Sequence, residues 1–124
     1  MIIRTLDARD LNQLRNIHEK FYKEEFPFPD FARFLCAFAI VDNDKIICAG
    51  GLKPMVENII ITNKDASARQ RREALYQVLE STSFIAGKFG FEQVHAFIND
   101  SKWEEYLLRV GFKNCKGNAL YLNL

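Results

Sequence analysis

The strongest fold signal lies in residues 88–124, KFGFEQVHAFINDSKWEEYLLRVGFKNCKGNALYLNL. Gly90 ends a long helical pattern, because glycine readily adopts the left-handed conformation that closes helices. The run 93–99 is rich in strand-forming residues, and 103–110 has the spacing of a short helix. Lys116-Gly117-Asn118 suits a tight hairpin between two closing strands. The segment therefore predicts a helix end, a strand, a helix and a hairpin, in that order.

Residues upstream extend this pattern to the N-terminus. Asp7 is predicted to cap a first helix, and Asp30 to cap a short second helix through about Cys36. Prolines between the two helices disfavour helical geometry in the residues before them. Apolar residues at helical spacing predict a long helix over 68–88. β-rich runs separated by turn residues predict strands at 2–5, 37–41, 45–52 and 56–62.

Two of the predicted strands carry more specific expectations. Gly50-Gly51 indicates a bulge near the end of the 45–52 strand. The run 56–62 contains three consecutive isoleucines, Ile59, Ile60 and Ile61. Such a run is typical of a central strand that is buried on both faces.

Composition limits the class of protein. With 124 residues, 48% of them hydrophobic, the chain is predicted to form one domain, residues 1–124, around a single core. A formal net charge of +1 gives no global field for nucleic acid. No apolar run reaches the roughly 20 residues of a membrane helix, and the start lacks a signal-peptide pattern. We therefore expect a soluble, cytoplasmic protein with reduced cysteines.

The full order of elements is strand, two helices, three strands, helix, strand, helix and two strands. Over essentially the whole chain this order resembles the GNAT superfamily of N-acetyltransferases. The resemblance implies an α/β (α+β) fold with a central mixed sheet of about seven strands flanked by about four helices. It also implies acetyl-CoA as cofactor and a primary amine of a small molecule or protein as acceptor. The alternative is a catalytically inactive GNAT-fold binding or structural subunit of a larger assembly, such as a phage virion, since fold alone does not determine function.

The same resemblance assigns candidate cofactor contacts. It implies that the fourth and fifth strands part to admit coenzyme A, and that the three isoleucines present a strand edge to pantetheine. The family's pyrophosphate loop has Gln or Arg, two residues, Gly, one residue, then Gly or Ala. The nearest match is Arg69-Gln70-Arg71-Arg72-Glu73-Ala74, which has Arg72 in place of the glycine. Starting the motif at Gln70 would put Glu73 and Leu75 at the small positions.

Three arginines, at 69, 71 and 72, crowd the predicted start of the 68–88 helix. Each cation there opposes the helix dipole by roughly 0.3–1 kcal/mol. A bound polyanion such as coenzyme A would offset that cost through paired donors. A solvated basic turn near Glu73 and Asp65 explains the cluster equally well. Contact with a nucleic-acid backbone is a less favoured third interpretation.

The resemblance also implies catalytic roles. Glu57, on the fourth strand, is the candidate base for the amine proton, although it could simply start the strand in solvent. Tyr106 is the candidate acid for the leaving thiolate, and Tyr121 is a weaker substitute. Tyr106 follows Asn99, a candidate cofactor contact, by seven residues as in the family, but precedes the Gly-Phe pair by five rather than four. A one-residue shift would put Leu107 at the family position, since neighbouring helical residues point about 100° apart.

Aromatic and acidic residues at the bend after the first helix are candidate acceptor contacts, namely Tyr22, Glu24, Glu25 and Phe28. This chemistry suits a cationic amine, whereas packing of the rings is the simpler interpretation. His18 and His95 have no partner at metal-binding spacing, so no metal site is predicted. A homodimer or a larger assembly is left open, and neither a nucleic acid nor a membrane is the expected partner.

Overall fold

The computed structural model describes residues 1–124. They form two compact units, Met1–Pro54 and Met55–Leu124. A single domain over the whole chain stays a prediction. None of the helices combines the length and the hydropathy that a bilayer span needs.

The first unit is a three-stranded antiparallel sheet with one helix. Its strands are β1 (Ile2–Thr5), β2 (Cys36–Asp42) and β3 (Lys45–Leu52), in the order β1-β2-β3. Helix α1 (Leu11–Phe21) follows a 3-10 turn and contacts β3. The buried apolar residues are Leu14 on the helix and Ala39 and Ile46 on the sheet. The predicted first helix and the three strands of this unit are therefore confirmed, with small changes at their ends.

The bulge of this sheet lies elsewhere than predicted. Ile40 pairs with Cys48 and Val41 with Ile46, which leaves Ile47 as the extra residue. The prediction of a bulge at Gly50-Gly51 is wrong, because both glycines pair in regular register with β2. Gly51 has a different reason to be glycine, since a Cβ there would overlap the carbonyl oxygen of the opposite strand.

A 3-10 turn at Phe31–Arg33 replaces the short helix predicted after Asp30. The Asp30 carboxylate does cap the turn by accepting from the Ala32 amide, at 3.2 Å. The helix stops after one turn because the Leu35 amide donates to the Leu52 carbonyl, at 2.8 Å. Pairing with the sheet therefore competes successfully with helix growth.

An ion pair joins β1 to the start of α1. Both terminal nitrogens of Arg4 donate to the Asp10 carboxylate, at 2.7 Å each. Asp10 is only 5% exposed and also accepts from the Asp7 amide, at 2.9 Å. These donors, the Arg4 guanidinium first, lower the pKa of Asp10 to about 2 from an ordinary 3.8.

This depressed pKa predicts acid sensitivity. Because the folded state holds Asp10 ionised below the ordinary pKa, its contribution is complete above about pH 4 and is lost as the pH falls towards 2. We expect Asp10→Asn to lower the free energy of unfolding by roughly 1.5–3 kcal/mol at neutral pH and to flatten its decline below pH 4. Urea unfolding from pH 2 to 7 measures both effects. Asp42→Asn, on an exposed aspartate without an ion pair, is the control, and an equal loss in both variants would contradict the prediction.

The second unit contains two longer helices and a short parallel pair of strands. The strands are β4 (Val56–Glu57) and β5 (Val94–His95), and the helices are α2 (Ala68–Lys88) and α3 (Ser101–Arg109). Its core is a cluster of Leu75, Leu79 and Leu107, with partly buried Ile60, Ala96, Trp103, Tyr106 and Phe112 packed against it. The long helix is confirmed at both of its predicted ends.

The strand count is lower than predicted. Five strands are present in place of about seven, with three α-helices and two 3-10 turns. The two closing strands are absent, and the last residues lie exposed, with Leu120 at 92%. The 56–62 run is not a strand buried on both faces, because β4 has β5 as its single neighbour and ends at Glu57. Ile59 and Ile61 are accordingly 75% and 93% exposed.

Candidate functional site

The two short parallel strands part shortly after they pair. The last ladder hydrogen bond runs from the Asn58 amide to the His95 carbonyl, at 2.8 Å. Beyond it lies a cavity of about 290 Å³ between the chain after β4 and the chain after β5. Glu57, Ile59 and Ile60 line one side, and residues 96–100 line the other. The cavity is therefore bordered by two segments whose backbone groups are not paired with each other.

A polar anchor holds β4 at the point where the strands part. The Asn58 side-chain amide donates to the Thr82 hydroxyl, at 2.7 Å, and that hydroxyl donates to the Val78 carbonyl, at 2.8 Å. Asn58 thus ties the edge of the cavity to α2. Sequence reasoning missed this residue, because a single Asn after a β-rich run resembles ordinary turn chemistry.

A second cavity, of about 400 Å³, lies between α2 and α3. Its lining includes Arg71 and Arg72 from the first helix and Lys102, Tyr106 and Arg109 from the second. Glu105 is the one carboxylate in the lining, so cations outnumber it four to one. We name this space the basic cavity. An anion is the ligand class that such a lining favours.

The start of α2 is capped by its own residues. The Ser67 hydroxyl accepts from the Gln70 amide, at 3.1 Å, and the Gln70 side chain accepts from the Ser67 amide, at 3.0 Å. This reciprocal capping satisfies two of the four amides that a helix end can otherwise offer to an anion. The segment predicted as a pyrophosphate loop is thus the first turns of a capped helix.

The structure brings some candidate residues together and separates others. Four of them line the cavity between the parted strands, namely Glu57, Ile59, Ile60 and Asn99. Three others line the basic cavity, namely Arg71, Arg72 and Tyr106. Five more line neither space, namely Ile61, Arg69, Gln70, Glu73 and Ala74. The candidate base and the candidate acid therefore line different cavities.

Trp103 is a cavity residue that the sequence motifs did not identify. It packs against the leucine cluster and also lines both cavities. Lys102 and Arg109 were missed as well. Their signal was available, because residues seven apart share one face of a helix with Tyr106 between them.

Tyr106 and Leu107, the two candidates for the family's acid position, differ in burial. Leu107 is 5% exposed and packs with Leu75 and Leu79. Tyr106 is half-buried at the edge of the same cluster, on the basic cavity. Tyr106, whose hydroxyl can donate a proton, therefore lines the basic cavity, whereas Leu107 does not.

The acceptor candidates lie in the first unit, around the end of α1. His18 Nε2 donates to the Phe26 carbonyl, at 2.6 Å, and the His18 ring meets the Phe26 and Phe28 rings edge-on. The Arg15 guanidinium lies 4.4 Å from the centre of the Phe28 ring. Tyr22 contacts Phe26, while Glu24 and Glu25 are exposed. The aromatic rings are thus in contact with one another, and one already faces a cation of the chain itself.

Comparison with known proteins gives little beyond this geometry. No protein-family model and no curated protein sequence matches the chain. Among solved structures, an aminoglycoside N-acetyltransferase AAC(6')-Iy in complex with CoA aligns over 99% of each chain, with a TM-score of 0.39 and 12% sequence identity. At these values the likeness identifies neither the fold nor the function of this chain.

Proposed function

We propose that this chain is an acetyl-CoA-dependent N-acetyltransferase of the GNAT superfamily that acts on a primary amine of a small molecule or protein. The main support is the parting of β4 and β5 beside a cavity with an apolar side and a carboxylate at its edge. Unpaired backbone along the cavity can accept hydrogen bonds from an extended, amide-bearing ligand such as pantetheine. Residues of α3 also line the basic cavity, and Trp103 lines both cavities.

In this proposal, residues of both cavities contact the cofactor. When bound, acetyl-CoA supplies a reactive acetyl thioester. Ile59 and Ile60 would hold the pantetheine arm, with Asn99 on the opposite side, and Arg71 and Arg72 would meet the phosphates. These residues fit the cofactor, because an apolar wall suits the pantetheine arm, a cationic wall suits the phosphates, and Trp103 lines both cavities.

Proton transfer completes the proposed chemistry. Glu57 would take the proton that the amine nitrogen loses as the new carbon–nitrogen bond forms, directly or through a water molecule. Tyr106 would give its proton to the departing sulfur. Because the tyrosine lines the neighbouring cavity, this second step needs a water between them or a side-chain rotation.

A non-catalytic GNAT-fold binding or structural subunit is the second candidate. The observation that favours it is the capped start of α2, where Ser67 and Gln70 use groups that a pyrophosphate loop offers to its ligand. Partners would then be proteins, either a second copy or the other subunits of an assembly.

Calorimetric titration with acetyl-CoA separates the two candidates. We expect micromolar binding that Arg71→Ala weakens by about tenfold, because one charge-assisted contact to phosphate is lost. Lys88→Ala, which removes a cation from the far end of α2, is the control. Release of free thiol with a panel of primary amines then reports turnover. Absence of acetyl-CoA binding would remove the enzyme proposal and favour the structural subunit.

A further inference from the structure

We propose that the basic cavity binds a diphosphate group through side chains of both α2 and α3, rather than through backbone amides at the start of α2. The identity of the natural ligand, the diphosphate of coenzyme A, rests on the proposed function. The binding of diphosphate itself rests only on the cavity.

The geometry shows two charged helix faces turned towards one space. The α2 residues that line the cavity are at positions 68, 71, 72 and 75, and the α3 residues include 102, 105, 106 and 109. Both sets follow the spacing of one helical face. Helix faces that meet inside a protein are normally apolar, because their burial drives the contact. Here each face presents two cations instead.

The cations of this cavity lack partners within the protein. None of Arg71, Arg72, Lys102 and Arg109 forms a salt bridge. The Nε atom of Arg71 is buried and has no hydrogen-bond acceptor. Cations on facing walls repel one another, and a buried donor without an acceptor is destabilising. An anion with several oxygens placed between the helices would relieve both costs.

Arg72 contributes a cation to the proposed diphosphate site. At the start of α2 its side chain stands where a phosphate-binding loop has glycine, and there it would hinder the approach of a phosphate to the backbone. The same side chain lines the basic cavity. The Ser67 and Gln70 amides at the helix end are already used in capping, whereas the four cations of the cavity form no salt bridge. An arginine at position 72, in place of the glycine of the family's loop, is therefore consistent with a phosphate that side chains hold.

The lining also limits the class of ligand. A space of about 400 Å³ exceeds what a single phosphate needs and suits the phosphate end of a nucleotide. Guanidinium groups hold phosphate oxygens in pairs, which suits two linked phosphates. Trp103 lines the basic cavity and also the cavity between the parted strands. A ligand with a diphosphate and an apolar arm therefore has a cationic lining for one part and an apolar lining for the other, next to the same tryptophan.

Inorganic pyrophosphate is the first probe, because it tests the cavity without any acetyl chemistry. Trp103 is the chain's single tryptophan, so its fluorescence reports events at this cavity. We expect pyrophosphate to change the fluorescence saturably, and Lys102→Ala/Arg109→Ala to weaken binding roughly tenfold. Both residues are exposed, so the substitutions spare the core. Lys88→Ala removes a cation from α2 outside the cavity, and we expect it to leave the affinity unchanged.

Coenzyme A and pantetheine extend the test to the proposed cofactor. We expect the double substitution to weaken coenzyme A binding roughly tenfold and to leave pantetheine binding unchanged, because pantetheine lacks phosphates. Absence of pyrophosphate binding, or an equal loss in Lys88→Ala, would overturn the diphosphate site. Acetyl transfer with an unchanged KM for acetyl-CoA in the double variant would also overturn it while leaving the enzyme proposal intact. Pyrophosphate binding without any acetyl transfer would support the site and remove the enzyme proposal.

Discussion

Glu57→Gln is expected to lower kcat of amine acetylation by about 100-fold while leaving the Kd for acetyl-CoA unchanged. A positioned base contributes on the order of 10²–10⁴ to such reactions, and the amide of glutamine cannot take the proton. Glu57 ends β4 at the edge of the cavity between the parted strands, and glutamine preserves its size there. Steady-state kinetics and calorimetry on the same preparation measure the two quantities.

Glu80→Gln, at an exposed position of α2 that lines neither site cavity, is the matched control. An unchanged kcat in Glu57→Gln would remove Glu57 from the mechanism, whereas a raised Kd alone would make it a binding residue.

Leu107→Ala is expected to destabilise the second unit by roughly 2–5 kcal/mol, because the substitution leaves a cavity inside the leucine cluster. Leu107 is 5% exposed and packs with Leu75 of α2, so it joins the two helices of this unit. Denaturant unfolding followed by Trp103 fluorescence measures the loss, since the indole packs against the same cluster.

The next residue offers a matched control for that substitution. Leu108 is 39% exposed, so Leu108→Ala changes the same helix by the same atoms with much less loss of packing. We expect it to cost less than about 1 kcal/mol. Equal destabilisation in both variants would mean that helix propensity, and not the leucine cluster, determines the effect.

Elements with their own local signals were predictable from the sequence. Helix α2 has a capping serine before it and Gly90 after it, and its predicted bounds of 68–88 agree with the structure. The 42–45 hairpin has Asn43 and Asp44 at positive φ, which their short polar side chains tolerate. Such signals act within a few residues, so a single sequence contains them.

Elements that depend on distant partners were predicted less well. The isoleucine run after Glu57 favours a strand, yet its length is limited by a single neighbouring strand. The bulge at Ile47 depends on the pairing between β2 and β3, and its neighbour Ile46 donates its amide to the Gln13 side chain of α1. Among the cations of the basic cavity, Arg71 and Arg72 form a cluster that is visible in the sequence, whereas Lys102 and Arg109 line the same space only through the fold.

If the bend after α1 contacts the acceptor, as the family resemblance implies, the contact between Arg15 and Phe28 limits how it could bind an amine. A cationic amine that stacked on the Phe28 ring would have to displace the Arg15 guanidinium. The net binding free energy would then be only the difference between two similar cation–π attractions. Discrimination among amines would then come from the exposed carboxylates of Glu24 and Glu25, which form no ion pair with a cation of the chain. Long-range attraction of that kind favours charge over shape, and it weakens as ionic strength rises. An acceptor chosen this way would be recognised by how many positive charges it carries.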